Sequence, residues 1–141
     1  MKKSFILLIL ILTAFFSVAA QYAPEPKVDR LNSAPKAFRT FYLGFRKAIH
    51  DGKKAQVIAT VRFPFSYGFD EGDEGKMTKL QFVKRFADVV GKKPKEFLQE
   101  SDPIFNRGEE GNYYVSTENA EHLQFTKSGK GFKWLSYIVE P

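Results

Sequence analysis

Apolar positions along the chain change period twice, and the changes mark out its elements. After Pro35, the residues Phe38, Phe41, Tyr42, Phe45 and Ile49 recur at spacings of three and four. That spacing predicts an amphipathic helix, with Lys36, Arg39 and Lys47 elsewhere on the wheel. Asn32 or Ser33 is placed to cap it, Pro35 suits its first turn, and Asp51-Gly52 ends it. A second short helix is expected over residues 53–60. From Val61 the period becomes two: Phe63, Phe65 and Tyr67 alternate with Pro64 and Ser66, which predicts a half-buried strand. Pro64 cannot donate to a ladder, so this strand is expected at an edge or beginning there.

Helical spacing returns after Thr78. Thr78 and Gln81 make a capping-box pair. Behind them Phe82, Val83, Phe86, Val89 and Val90 form one stripe, opposed by Gln81, Lys84, Arg85 and Asp88. Gly91 stops the helix, and residues 94–100 add a turn or two. The last third reads as strands over residues 104–106, 113–117, 121–127 and 132–139. The run Ser128-Gly129-Lys130-Gly131 is a hairpin turn. It sets Phe125 opposite Trp134, Leu123 opposite Ser136 and Glu121 opposite Ile138. Those side chains share one face, expected to be the concave, helix-covered one. His122, Gln124 and Thr126 share the other with Lys133, Leu135 and Tyr137. Leu135, Tyr137 and Val139 would then support a homodimer through the sheet. Helices followed by strands predict an α+β fold: a curved antiparallel sheet with the N-terminal helices packed on its concave face.

The first twenty residues stand apart. Lys2 and Lys3 precede an apolar run over residues 5–16, and Val18-Ala19-Ala20 supplies small residues before Gln21. This is the pattern of a secretory signal peptide. The expected organisation is therefore a signal peptide at 1–20, a flexible lead-in at 21–34 and one domain at 35–141. The expected location is outside the cytoplasm, in a bacterial periplasm or secreted, with no stable membrane span after cleavage.

Composition narrows the chemistry. The chain has 141 residues, 43% of them hydrophobic, and its 15 phenylalanines imply an aromatic interior. It has no cysteine, which removes disulfides, thiolate metal sites and cysteine nucleophiles. The formal charge is +6 from 22 basic and 16 acidic residues. Without Lys2 and Lys3 it is +4, a mild excess that does not point to nucleic acid. The densest basic run, Lys92-Lys93-Pro94-Lys95, carries no interleaved aromatic residue.

No serine-hydrolase elbow, zinc-helix motif, P-loop or dinucleotide turn is present. The acidic stretch from Asp70 to Gly75 fails the calcium-loop pattern, because glycine falls where an acid is required. It reads as a solvated connection whose charge precedes a helix N-terminus. His50 sits at a helix C-terminus, where an imidazolium is favoured. With Tyr42 and Arg46 it forms a polar ridge beside the apolar stripe. Asp88 and Asp102 lie on polar positions, and neither makes a convincing base. No catalytic residue, metal ligand or cofactor is assigned.

The element order resembles the nuclear transport factor 2-like superfamily, which includes ketosteroid isomerases and SnoaL-like cyclases. The resemblance rests on the first helix with Phe41, Phe45 and Ile49, and on "VIATVRFPF" running from helix into strand. It extends to "TKLQFVKRF" and the closing pair "EHLQFTKSGKGFKWLSYIVE". The resemblance implies a cone-shaped α+β fold whose mouth holds a small ligand. On that view Tyr42, Phe63, Phe65, Tyr67, Phe82, Phe86, Phe125 and Trp134 line the pocket or fill the core, with Arg46 and His50 at its mouth. The implied function is noncovalent binding of a small apolar ligand or a protein partner. An isomerase, dehydratase or cyclase is the alternative, and it would need an inward carboxylate opposed by a tyrosine.

Overall fold

The computed structural model describes residues 27–69, 72–91 and 96–140. The expected signal peptide, residues 21–26 of the expected lead-in, Asp70, Glu71 and the basic run 92–95 lie outside them.

The fold is α+β. Helices α1 (Lys36–His50) and α2 (Lys54–Thr60) precede strands β1 (Val61–Gly68) and β2 (Glu74–Met77). Helix α3 (Lys79–Lys84), a π turn (Ala87–Gly91) and α4 (Glu96–Gln99) follow. Strands β3 (Ile104–Arg107), β4 (Asn112–Ser116), β5 (Glu121–Ser128) and β6 (Gly131–Val139) complete the order. One open six-stranded sheet results, ordered β2-β1-β6-β5-β4-β3. It is mixed rather than antiparallel throughout, because β1 runs parallel to β6. The reason is topological. The helices and the β1–β2 hairpin come before the β3–β6 meander, so β1 meets β6 only by tertiary packing.

α1 forms as its spacing predicts and buries Phe38, Tyr42, Phe45, Ala48 and Ile49. Its start differs. Pro35 occupies the cap position, and no side chain caps the helix. Asn32 and Ser33 instead belong to a 3-10 turn over Leu31–Ser33. The expected flexible lead-in is thus docked from residue 29 onward, with Leu31 and Ala34 buried.

The period-2 reading of β1 holds, but β1 is not an edge strand. Pro64 is accommodated because the ladder to β6 shifts register between Val61 and Ser66, where the cis Phe63–Pro64 bond lies. A missing donor costs nothing where no ladder bond is due. Part of the acidic stretch is also structured. Glu74 begins β2, and Tyr67 pairs with Gly75. Gly75 has φ +150, with the Tyr67 ring 3.6 Å from where a Cβ would stand.

The Thr78 capping box is complete in both directions. The helix behind it is shorter than its stripe, since Arg85 leaves helical geometry and the chain resumes as the π turn. Phe82, Val89 and Val90 remain buried across the break.

The β5–β6 register follows the hairpin as far as Phe125 opposite Trp134. A bulge then intervenes between Gln124 and Phe125, and Leu123 faces Tyr137 rather than Ser136. One extra residue, Leu135, therefore turns Tyr137 from the outer face to the inner one. Tyr137 is fully buried. The outer apolar patch expected for a homodimer loses Tyr137 and gains Ile138, which now pairs with His122.

Candidate functional site

The proposed pocket residues divide into a core and a rim. Tyr42, Phe65, Phe82, Phe125 and Trp134 are buried. Their rings touch: Phe65 and Trp134 are 4.8 Å apart between centroids, Phe65 and Phe82 4.9 Å, and Tyr42 and Phe125 5.8 Å. Phe45, also buried, closes on Trp134 at 4.9 Å. These are edge-to-face contacts, so the rings pack against one another between helix and sheet. Phe63, Tyr67 and Phe86 are half-buried around this core. Lys54 lies 5.2 Å above the Phe86 ring, and Arg85 lies 4.9 Å above Tyr67. Arg85 also holds Asp73 with two bonds of 3.2 and 2.8 Å. The second half of the acidic stretch is thereby tied to α3 rather than left in solvent.

The interior contains one carboxylate that sequence reasoning did not single out. Glu121, 8% exposed, begins β5. Tyr137 donates its hydroxyl to Glu121 Oε1 at 2.8 Å, and the Phe97 N–H donates to Oε2 at 2.8 Å. Tyr42 donates to the Phe97 carbonyl at 3.4 Å. Burial raises the Tyr137 hydroxyl well above the usual tyrosine range, and its bond to the Glu121 carboxylate adds to this. Burial also raises Tyr42, against the opposing charge of Arg46. The pattern places Glu121 on the same face as Leu123 and Phe125, and all three are buried. The partner of Glu121 was hidden, because the bulge brings Tyr137 inward.

An inward carboxylate opposed by a tyrosine is the pair an isomerase would use. Here each oxygen already accepts a protein donor, and the first turn of α4 hangs from one of them. The arrangement anchors α4 to the sheet. In this geometry it presents no free base to a substrate.

The ridge of Tyr42, Arg46 and His50 divides as well. Tyr42 faces the core. Arg46 and His50 face an open groove of about 500 Å³, with Leu43, Lys47, Asp51, Leu98 and Ser101 completing it. Arg46 donates to the carbonyls of Leu98 and Glu100 at 2.6 Å each. It thereby fixes the far wall to α1. The His50 side chain is 85% exposed, and Leu43 is 49% exposed. Hydrogen bonds from Lys47, and then His50, hold Asp51 below the usual carboxylate range. The groove thus combines an exposed aliphatic group with the Lys47–Asp51–His50 cluster, outside the aromatic core.

A second hollow, about 380 Å³, is lined by Glu96, Gln99, Glu100 and Glu118. Burial raises the Glu100 carboxyl above its usual range; Glu118 and Glu96 add to this, while the Glu118 backbone N–H and Arg30 offset it. Glu100 Oε2 has no hydrogen-bond partner. Among the described residues no group of three or more potential ligands is arranged to hold a metal ion.

His122 lies half-buried on the outer face, with Nδ1 2.9 Å from Ser116 Oγ and Nε2 3.5 Å from Glu140. Beside it, Gln124 bonds Tyr114 at 3.1 Å. These cross-strand links add polar contacts to the outer face, beside Ile138, which pairs with His122.

Among the described residues no helix is long and apolar enough to cross a membrane. No family model, curated protein or solved structure matches the chain.

Proposed function

We propose that this chain is an exported, non-catalytic binding protein of the nuclear transport factor 2-like type, and that it works by holding a protein partner on its surface. The order of helices, hairpin and meander supports a cone-like form, and the N-terminal pattern supports export to a periplasm or beyond. The observation that carries the reading is the contact among Tyr42, Phe45, Phe65, Phe82, Phe125 and Trp134. These rings pack against one another where a small apolar ligand would sit. The surface groove along α1 offers an open face: Leu43 for an aliphatic contact, and the Lys47–Asp51–His50 cluster for polar ones. Such a combination suits a polypeptide. A homodimer through the outer sheet face is the weaker form of the same reading, because Tyr137 turns inward and His122 and Gln124 are already bonded to neighbouring strands.

The Glu121–Tyr137 pair favours a second reading, an isomerase, dehydratase or cyclase of the same superfamily. It requires the aromatic packing to open and free the carboxylate. Native mass spectrometry of the protein purified from its own host separates the readings. A stoichiometric protein partner, lost in Leu43→Asp, is expected. A retained small molecule, with no partner, would overturn the surface reading and restore an interior one.

A further inference from the structure

Residues 29–31 lie antiparallel against the outer edge of β3. Leu31 N donates to Pro103 O at 2.9 Å, and Phe105 N donates to Asp29 O at 2.8 Å. The side chains have seats of their own. Leu31 is 2% exposed. Arg30 reaches Glu118 at 3.0 Å, Glu100 at 3.5 Å and the Asp102 carbonyl at 3.4 Å. Asn32 N donates to Asp102 Oδ1 at 2.9 Å, and Arg39 donates to Asn32 O at 2.8 Å. A strand edge flanked by a carboxylate seat and an apolar seat is how proteins take up extended peptides.

Few bonds confine this segment to its own chain. The turn is closed by Ser33 N to Arg30 O at 2.8 Å and Ala34 N to Leu31 O at 3.0 Å, with Ser33 Oγ adding a bond to Arg30 O. Ala34 and Pro35 are both extended, with ψ 153° and 135°. Once the turn opens, the segment projects from α1 on an extended connector.

We propose that the β3 edge is an exchangeable strand site, and that its occupant is this same segment from a second copy of the chain. Every contact of Arg30, Leu31 and Asn32 with residues 100–105 and 118 re-forms on the neighbour, whose Arg39 takes up Asn32 O. Only the turn bonds are lost. Reciprocal exchange closes a two-fold dimer and leaves no strand edge open at β3. This inference does not rest on the surface groove or on the superfamily.

The absence of cysteine makes the test direct. The two backbone bonds flank the Arg30–Ile104 pair. Continuing that register sets Val28 opposite Asn106, in a pair whose Cα spacing of about 4.5 Å suits a disulfide. Both positions are exposed. Val28→Cys and a size-tagged Asn106→Cys are mixed under native conditions, oxidised mildly and separated without reductant. The expected product is the mixed dimer, in excess over either symmetric one. Arg30→Glu in the Val28→Cys chain lowers its yield several-fold, and Glu118→Arg in the partner restores it. If the mixture gives no excess of mixed dimer while the Val28→Cys/Asn106→Cys double variant closes within one chain, the segment is seated but not exchanged. If the double variant closes neither way, the register itself is wrong. Either result overturns the proposal.

Discussion

Tyr137 shows how much one side chain depends on a neighbour's placement. Its hydroxyl supplies a donor to a carboxylate buried among aromatic rings. Tyr137→Phe removes that donor and leaves Glu121 Oε1 unsatisfied, at a cost of about 1–3 kcal/mol. Urea unfolding monitored by Trp134 fluorescence checks this; an unchanged midpoint would mean that the bond contributes nothing. Glu100 is the opposite case. Its folded-state pKa lies above its unfolded one, mainly through burial. Stability from this group is therefore present at low pH and is lost as pH rises through the folded pKa. Glu100→Gln should melt higher than the parent at pH 7, with the difference shrinking toward pH 4. Thermal melts across that range test the sign, and a variant that melts lower at pH 7 would contradict it.

At the scale of elements, strong local signals were legible and register was not. The stripe on α1 and the Thr78–Gln81 box were read correctly because each is set within a few residues. Thr78→Ala should cost about 1 kcal/mol by removing the cap from α3, measurable in the same urea titration. β2 escaped notice because Glu74-Gly75-Lys76 has neither alternation nor β-branched residues. It is a strand only because Tyr67 and its neighbours supply a partner. The bulge at Leu135 carries no turn residue to announce it, so the pattern beyond Trp134 ran one place out. The candidate site suffered from the same slip. Glu121 was placed on the correct face, but its tyrosine was placed on the wrong one. Deleting Leu135 should leave the ladder pairs intact, because it removes the unpaired residue alone. The variant is expected to fold with its near-ultraviolet Trp134 signal retained, and loss of that signal would refute the register.

Across the whole molecule, the aromatic interior decides between function classes. If the rings fill the interior in solution, a fluorescent apolar probe such as anilinonaphthalene sulfonate should show no saturable binding to the native protein. Stoichiometric uptake displaced by Trp134 substitution would instead mean that the core opens. What composition announced was the abundance of phenylalanine. What it left open was whether those rings surround a space or occupy it, which depends on how α1 sits on the sheet.

The parallel seam between β1 and β6 also constrains the order of events in time. Val61 and Trp134 face each other across it, although they stand far apart along the chain. Until β6 exists, β1 and β5 each lack a neighbour, and the rings around Trp134 have nothing to close upon. Closure of the aromatic core therefore waits for β6. Distant pairings of this kind slow the search for the native state.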